Sequence, residues 1–235
     1  MNFRHFISHG CGIAGLLAGA PLHAHEFHGY LTVTSDYVFR GASQSNEDPT
    51  VQAGLDYAHP RGLFAGAFVA RTEFPANSFG SNPGSVELDA YLGFSHGIGR
   101  DWSWDVAAIH YDYPASTGFD YSYDELAANL RFRDFLRVGA TASGDAGAGG
   151  SNGWTAEVEL RRPLGERFQV SGSLGRYAFA RSDWNDYLYW DLGISADANE
   201  VTFDLRYFDT DSDEAGFADG RLTGSRLVGS ISVGF

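Results

Sequence analysis

Charged residues recur in this chain at every second position. Glu87 and Asp89 are so spaced, as are Glu157, Glu159 and Arg161, and Asp204 and Arg206. In an extended strand, residues two apart share a face, so each set projects its charges to one side. Collecting the residues on such faces gives ten acids: Asp36, Asp56, Glu87, Asp89, Asp105, Glu125, Glu157, Glu159, Asp191 and Asp204. It also gives six arginines: Arg40, Arg131, Arg137, Arg161, Arg206 and Arg226. Two chemistries fit such a surface. One is an acidic, water-filled wall that favours cations. The other is a packed interior of Arg–carboxylate pairs, in which each charge needs a partner or water. Asp36, Arg40, Gln52 and Asp56 form a compact subset, in which Arg40 is placed to pair with Asp36 or Asp56.

Other constellations are weaker. Asp209, Asp211 and Asp213 match the first half of a calcium loop. Glu214 stands where glycine is needed and Gly220 where the bidentate glutamate belongs, so the motif fails. Weak divalent binding or bridging to anionic head groups is all that this loop would support. The histidines after residue 24 are His25, His28, His59, His96 and His110. His110, beside Asp112, would need a positioned nucleophile or paired carboxylates to act as a base. No G-x-S-x-G or comparable spacing supplies one. No enzyme and no cofactor is expected.

The elements that carry these faces read as strands. Twelve alternating stretches lie near 28–40, 50–58, 63–72, 86–96, 102–113, 123–133, 135–143, 153–162, 167–180, 186–196, 200–209 and 222–235. In 86–95, Val86, Leu88, Ala90, Leu92 and Phe94 oppose Glu87, Asp89, Tyr91 and Ser95. The last stretch sets Leu227, Ile231, Val233 and Phe235 against Arg226, Ser230 and Ser232. The connections alternate between short ones (59–62, 96–101, 133–135, 162–167, 197–199) and mostly longer polar ones (41–49, 73–85, 114–122, 143–152, 209–220). Short turns on one side and long loops on the other characterise up-and-down transmembrane barrels. Aromatic residues near strand ends (Tyr37, Phe39, Trp102, Trp104, Tyr111, Phe132, Trp154, Phe168, Phe235) fit interfacial girdles. An inward apolar face of small residues would not fill so wide a barrel, which places the apolar faces outward.

Composition agrees. The chain has 235 residues, with 16 arginines, no lysine and 30 Asp plus Glu, for a formal net charge of −14. That balance argues against a nucleic-acid partner. Its 30 Gly, 18 Phe and 12 Tyr suit strands and tight turns. No apolar run of about 18 residues follows residue 25, so membrane-spanning helices are excluded while a barrel is not. Residues 1–24 read as a secretory signal peptide: Arg4, an apolar stretch from Cys11 to Ala20, then Ala24 for cleavage. The single Cys lies within it, so residues 25–235 hold no disulfide or thiol chemistry. Losing Arg4 leaves 15 Arg against 30 acids, a charge of −15.

The stretch "VTSDYVFRGASQSNEDPTVQAGLDYAHPRGLFAGAF" (33–68) resembles the start of the TorF-like porin family of proteobacteria. The family pattern S-D-Y-x-F-R-G-x-S-Q is matched by Ser35, Asp36, Tyr37, Phe39, Arg40, Gly41, Ser43 and Gln44. Its continuation is matched by Pro49, Gln52, Gly54, Asp56, Tyr57, Gly62 and Gly66, with Phe64 in place of the usual Tyr. "VELDAYLGF" (86–94) and "HYDYP" (110–114) look like later family blocks. The resemblance spans residues 25–235 and is dense over the first hundred. It implies an outer-membrane barrel and supplies no substrate.

The expectation is therefore an all-β protein: a single antiparallel up-and-down transmembrane barrel of about twelve strands over 25–235. It would lie in the outer membrane of a Gram-negative bacterium and pass small hydrophilic solutes or ions with a cation preference. The runners-up are a closed adhesive barrel with acidic surface loops and a lipid-modifying enzyme. The partners implied are outer-membrane lipid and lipopolysaccharide, and the barrel assembly machinery, reading the strand that ends at Phe235.

Overall fold

The computed structural model describes residues 25–74, 84–114, 116–118, 120–146, 151–180, 184–212 and 220–235. The proposed signal peptide, parts of the long connections and the pair Asp213 and Glu214 lie outside them. Twelve antiparallel strands close into one barrel: β1 (Glu26–Thr34), β4 (Thr50–Ala58), β5 (Leu63–Arg71), β6 (Val86–Ile98), β7 (Trp102–Asp112), β8 (Tyr123–Phe132), β9 (Leu136–Ala146), β10 (Ser151–Leu164), β11 (Phe168–Phe179), β12 (Tyr187–Ala198), β13 (Val201–Thr210) and β14 (Arg226–Gly234). Two further short strands, β2 (Val38–Phe39) and β3 (Ala42–Ser43), form a separate hairpin. One short helix, α1 (Gly220–Thr223), precedes β14.

Each barrel strand pairs with its neighbours in the chain, and β1 closes the circle against β14 with Tyr30 opposite Gly234 and Thr34 opposite Ser230. The seam continues to the last residue. The Gly29 amide donates to the Phe235 carbonyl at 2.8 Å, and the Phe235 amide donates to the Gly29 carbonyl at 2.9 Å. On the inner face of the seam, Thr32 and Ser232 share a hydroxyl hydrogen bond of 2.7 Å.

The two faces of the wall differ in the manner expected of a barrel in hydrocarbon. Leu92, Leu126, Leu192 and Leu227 point outward and are 61–66 % exposed. Alternate residues point inward, and Glu87 and Glu125 are 1 % and 2 % exposed. Every short turn holds one residue in the left-handed region: Gly62, Gly99, Arg133, Gly165 and Asn199. These single residues let two to four positions reverse the chain, which fixes the register of each hairpin locally.

Glycine also acts within the wall. At Gly66 on β5, the Tyr91 ring of β6 lies across the backbone and its hydroxyl donates to Asp56 on β4. A Cβ at Gly66 would also stand 2.7 Å from the Leu55 carbonyl, so relaxation of the tyrosine alone would not accommodate it. Gly66→Val is expected to cost about 1–3 kcal/mol through overpacking. It should lower the temperature at which the folded band is lost in a heat-modifiability gel. An unchanged transition would show that the ring is not seated there.

The first strand is shorter than the sequence pattern implies. It ends at Thr34 rather than near residue 40, and residues 35–49 fold into the barrel instead of extending its wall. Tyr37 and Phe39 therefore do not belong to an interfacial girdle: Tyr37 is buried inside, and Phe39 packs against Tyr111 with ring centroids 6.1 Å apart. Tyr111 itself is an inward residue of β7 and fully buried. Trp102, Trp154, Phe168 and Phe235 do face outward near strand ends.

Candidate functional site

The interior is organised by the inward hairpin. Phe39 and Ala42 pair across a two-residue turn in which Arg40 and Gly41 both have positive φ, 49° and 82°. Two successive positive φ values make the tightest hairpin reversal, and glycine at the second position suits it. Arg40 thus stands at the tip. A side chain at Gly41 would meet Tyr189 on β12 and Thr210 on β13, with the Tyr189 Cβ at 2.9 Å, so the tip is pressed to that wall.

The polar residues around the turn hold it there. The Asp36 carboxylate accepts from the Ser43 hydroxyl at 2.6 Å, the Ser45 hydroxyl at 2.9 Å and Arg226 of β14 at 2.9 Å. The Gln44 amide donates to the Tyr37 carbonyl, and the Glu73 amide donates to the Gln44 carbonyl. Tyr37 donates to Glu87 on β6 at 3.3 Å. Arg40 donates to Glu125 on β8 at 2.8 Å and to Thr141 on β9 at 3.2 Å. The hairpin therefore crosses the barrel from β6 to β13. The ion pairs differ from the sequence expectation: Arg40 pairs with neither Asp36 nor Asp56. The chain crosses the interior from Asp36 to the turn, so Asp36 meets Arg226 on β14 while Arg40 at the tip meets Glu125 on β8.

The other charged residues singled out in the sequence also turn inward, and seven of the ten acids have an arginine. Besides Asp36 and Glu125, Asp105 pairs with Arg131, and Glu157 with Arg137. Glu159 accepts from Arg137 at 2.9 Å and from Arg161 at 2.6 Å. Arg206 bridges Asp191 and Asp204. Asp56, Glu87 and Asp89 make no ion pair with a described residue, and Gln52 shares the inward face of β4 with Asp56. The charge is therefore divided between walls. Among the described residues, the inward arginines of barrel strands sit on β8, β9, β10, β13 and β14, and the unpaired carboxylates on β4 and β6.

The alternation of strands did not reveal how aromatic the interior is. Two clusters line it: Phe64, Tyr91, Tyr111, Tyr113 and Tyr121 on one side, and Tyr177, Phe179, Tyr187 and Tyr189 on the other. Tyrosine counts as polar on an alternating strand, as Tyr91 does beside Glu87 and Asp89, whereas Tyr111 reads as an interfacial aromatic in the sequence. Their position on the charged faces was the available signal. Arg40 lies between the clusters, its guanidinium carbon 4.5 Å from the centre of the Phe39 ring and 5.2 Å from that of Tyr177. Buried side chains pack around the hairpin. Towards the short turns, Arg161 and Glu157 keep 18 % and 20 % exposure.

His110 faces outward, exposed, with its Nδ1 2.8 Å from Asp124 on the adjacent strand rather than beside Asp112. It is remote from the interior. Among the described residues no group of His, Cys, Asp and Glu could hold a metal ion. Outside the strands, the Asp186 carboxyl is held below its ordinary range by the Phe179 amide and by Arg176. The amide of Ser122 does the same for Asp120.

Comparison with known proteins agrees with the fold. A porin described as KdgM superposes with a TM-score of 0.55 at 6% identity, over 88% of this chain and 99% of its own. The NanC porin gives 0.58 at 10% identity, over 89% and 99%. No protein of curated function matches the sequence. The family profile described as "Bacterial protein of unknown function (Gcw_chp)" matches residues 18–230, a match that does not carry the TorF-like label. With nearly the whole barrel inside that match, the chain belongs to the Gcw_chp family of bacterial proteins.

Proposed function

We propose that this protein is an outer-membrane porin of narrow bore, exported by its N-terminal signal, that passes small hydrophilic solutes or ions and favours cations. The long connections would face outward and the five short turns the periplasm. The observation that carries the reading is the interior. A closed barrel with an apolar exterior keeps Asp56, Glu87 and Asp89 on one wall without ion-pair partners. A barrel stabilised only by packing would gain nothing from carboxylates buried without counter-charge. The porin-like fold of its structural neighbours and the TorF-like resemblance of residues 33–68 support the same reading. Outer-membrane lipid and lipopolysaccharide would surround the barrel, with the assembly machinery engaging the strand that ends at Phe235.

The test is the conductance of the refolded protein in a planar bilayer under a salt gradient. Discrete steps with a cation-selective reversal potential are expected. A second reading is a closed barrel whose outer loops carry the function, favoured by the near-complete burial of Glu87 and Glu125. A folded, heat-modifiable protein without conductance would replace the first reading by the second.

A further inference from the structure

The Arg40 guanidinium occupies a cage that the barrel wall supplies. Glu125 accepts from it at 2.8 Å, and the Tyr177 ring lies 5.2 Å from its central carbon. Aromatic faces and carboxylates together are the usual surroundings of an organic cation. The cage holds more carboxyl groups than Arg40 answers. Asp89 is within electrostatic reach of both Glu87 and Glu125. One buried oxygen of each of these three carboxylates, Glu87 Oε2, Asp89 Oδ1 and Glu125 Oε2, has no hydrogen-bond partner. Glu87 and Glu125 are 99 % and 98 % buried, since their exposures are 1 % and 2 %. On the cationic side, Arg40 Nη1 is likewise without a partner. The guanidinium therefore engages only part of a site whose wall continues to Glu87 and Asp89.

We propose that this cage, formed by Glu87, Asp89, Glu125 and Tyr177, is a receptor for a solute bearing guanidinium or ammonium groups, and that Arg40 is its built-in competitor. The inference deepens the porin reading by naming the solute class. A dication would place one charge where Arg40 lies and the second towards Glu87 and Asp89. The wall residues belong to barrel strands and stay in place when the hairpin tip is withdrawn, so solute and Arg40 exchange at one position. A neutral sugar or an anion would leave the three carboxylates unanswered and bind less well.

Agmatine, which carries one guanidinium and one amine, is the probe, with glucose and glutamate as controls. Binding is read by calorimetry on the detergent-refolded barrel, and folding is checked separately by heat modifiability. Agmatine should bind saturably and the controls should not. Arg40→Ala should bind it about ten-fold more tightly because the competitor is gone, and Glu87→Gln with Asp89→Asn should weaken binding at least about ten-fold, in keeping with charge-assisted contacts. Arg40→Lys, which keeps a competitor, should stay near the wild-type value. Absence of saturable binding, or equal affinity in the carboxamide variant, would overturn the inference. Conductance without binding would overturn it while leaving the pore reading intact. Binding without conductance would support the cage and refute the pore.

Discussion

Arg40→Ala opens the barrel: the hairpin becomes sensitive to protease, and single-channel conductance rises above the wild-type level. The expectation follows from the place of one side chain. The Arg40 side chain is 9 % exposed and the side chain of its partner Glu125 is 1 % exposed. Removing one member of a buried pair leaves the other charge uncompensated, at a cost of about 3–5 kcal/mol. The hairpin has other attachments, Asp36 to Arg226 and Tyr37 to Glu87, but these lie at its base. The tip should therefore detach before the base does. Glu125→Gln should act in the same direction and less strongly, because a carboxamide still accepts a hydrogen bond. Conductance and proteolysis at wild-type levels in Arg40→Ala would mean that the hairpin is held by Gly41 and its neighbours alone.

Deleting Phe235 should reduce the amount of folded barrel in cells to a small fraction of wild type while changing the stability of refolded protein little. The terminal residue contributes two backbone hydrogen bonds to Gly29, worth about 1 kcal/mol each, and its ring is 80 % exposed on the outer face. That is a small loss for a completed barrel. A ring so exposed is available to a partner during assembly. Parallel measurement of outer-membrane levels and in vitro unfolding separates the two effects. Equal losses in both assays would make Phe235 a structural residue only, and normal cellular levels would remove it as an assembly signal.

Much of this architecture is legible in the sequence, for a definite reason. A period of two is a property of the strand itself, so Val86–Ser95 and Leu227–Phe235 disclose their faces without knowledge of their partners. The order of short and long connections follows directly, and so do the inward positions of Glu157, Glu159 and Arg161. The hairpin was not legible in the same way. Tyr37 and Phe39 continue the two-residue spacing of β1, and the Arg40–Gly41 turn follows directly. Such a dipeptide between short alternating segments is a hairpin signal, although the segments here hold two residues each. The partner of Arg40 was illegible because it depends on the distance across the barrel. Arg40 meets Glu125, 85 positions away, rather than its neighbour Asp36.

The seam between β1 and β14 has a consequence for how such proteins change size. Thr32 and Ser232 are 200 positions apart, whereas the other wall contacts join strands adjacent in the chain. The circumference is thus assembled from independent two-strand units, each with its own turn and its own left-handed residue. Adding or removing one unit, such as β8 with β9, keeps every remaining turn and both edges of the seam in the same orientation. A single strand could not be exchanged this way, because β14 would then arrive parallel to β1. Bore is accordingly a quantity that gene duplication can alter in steps of one hairpin, without redesign of the turns or of the closing edge.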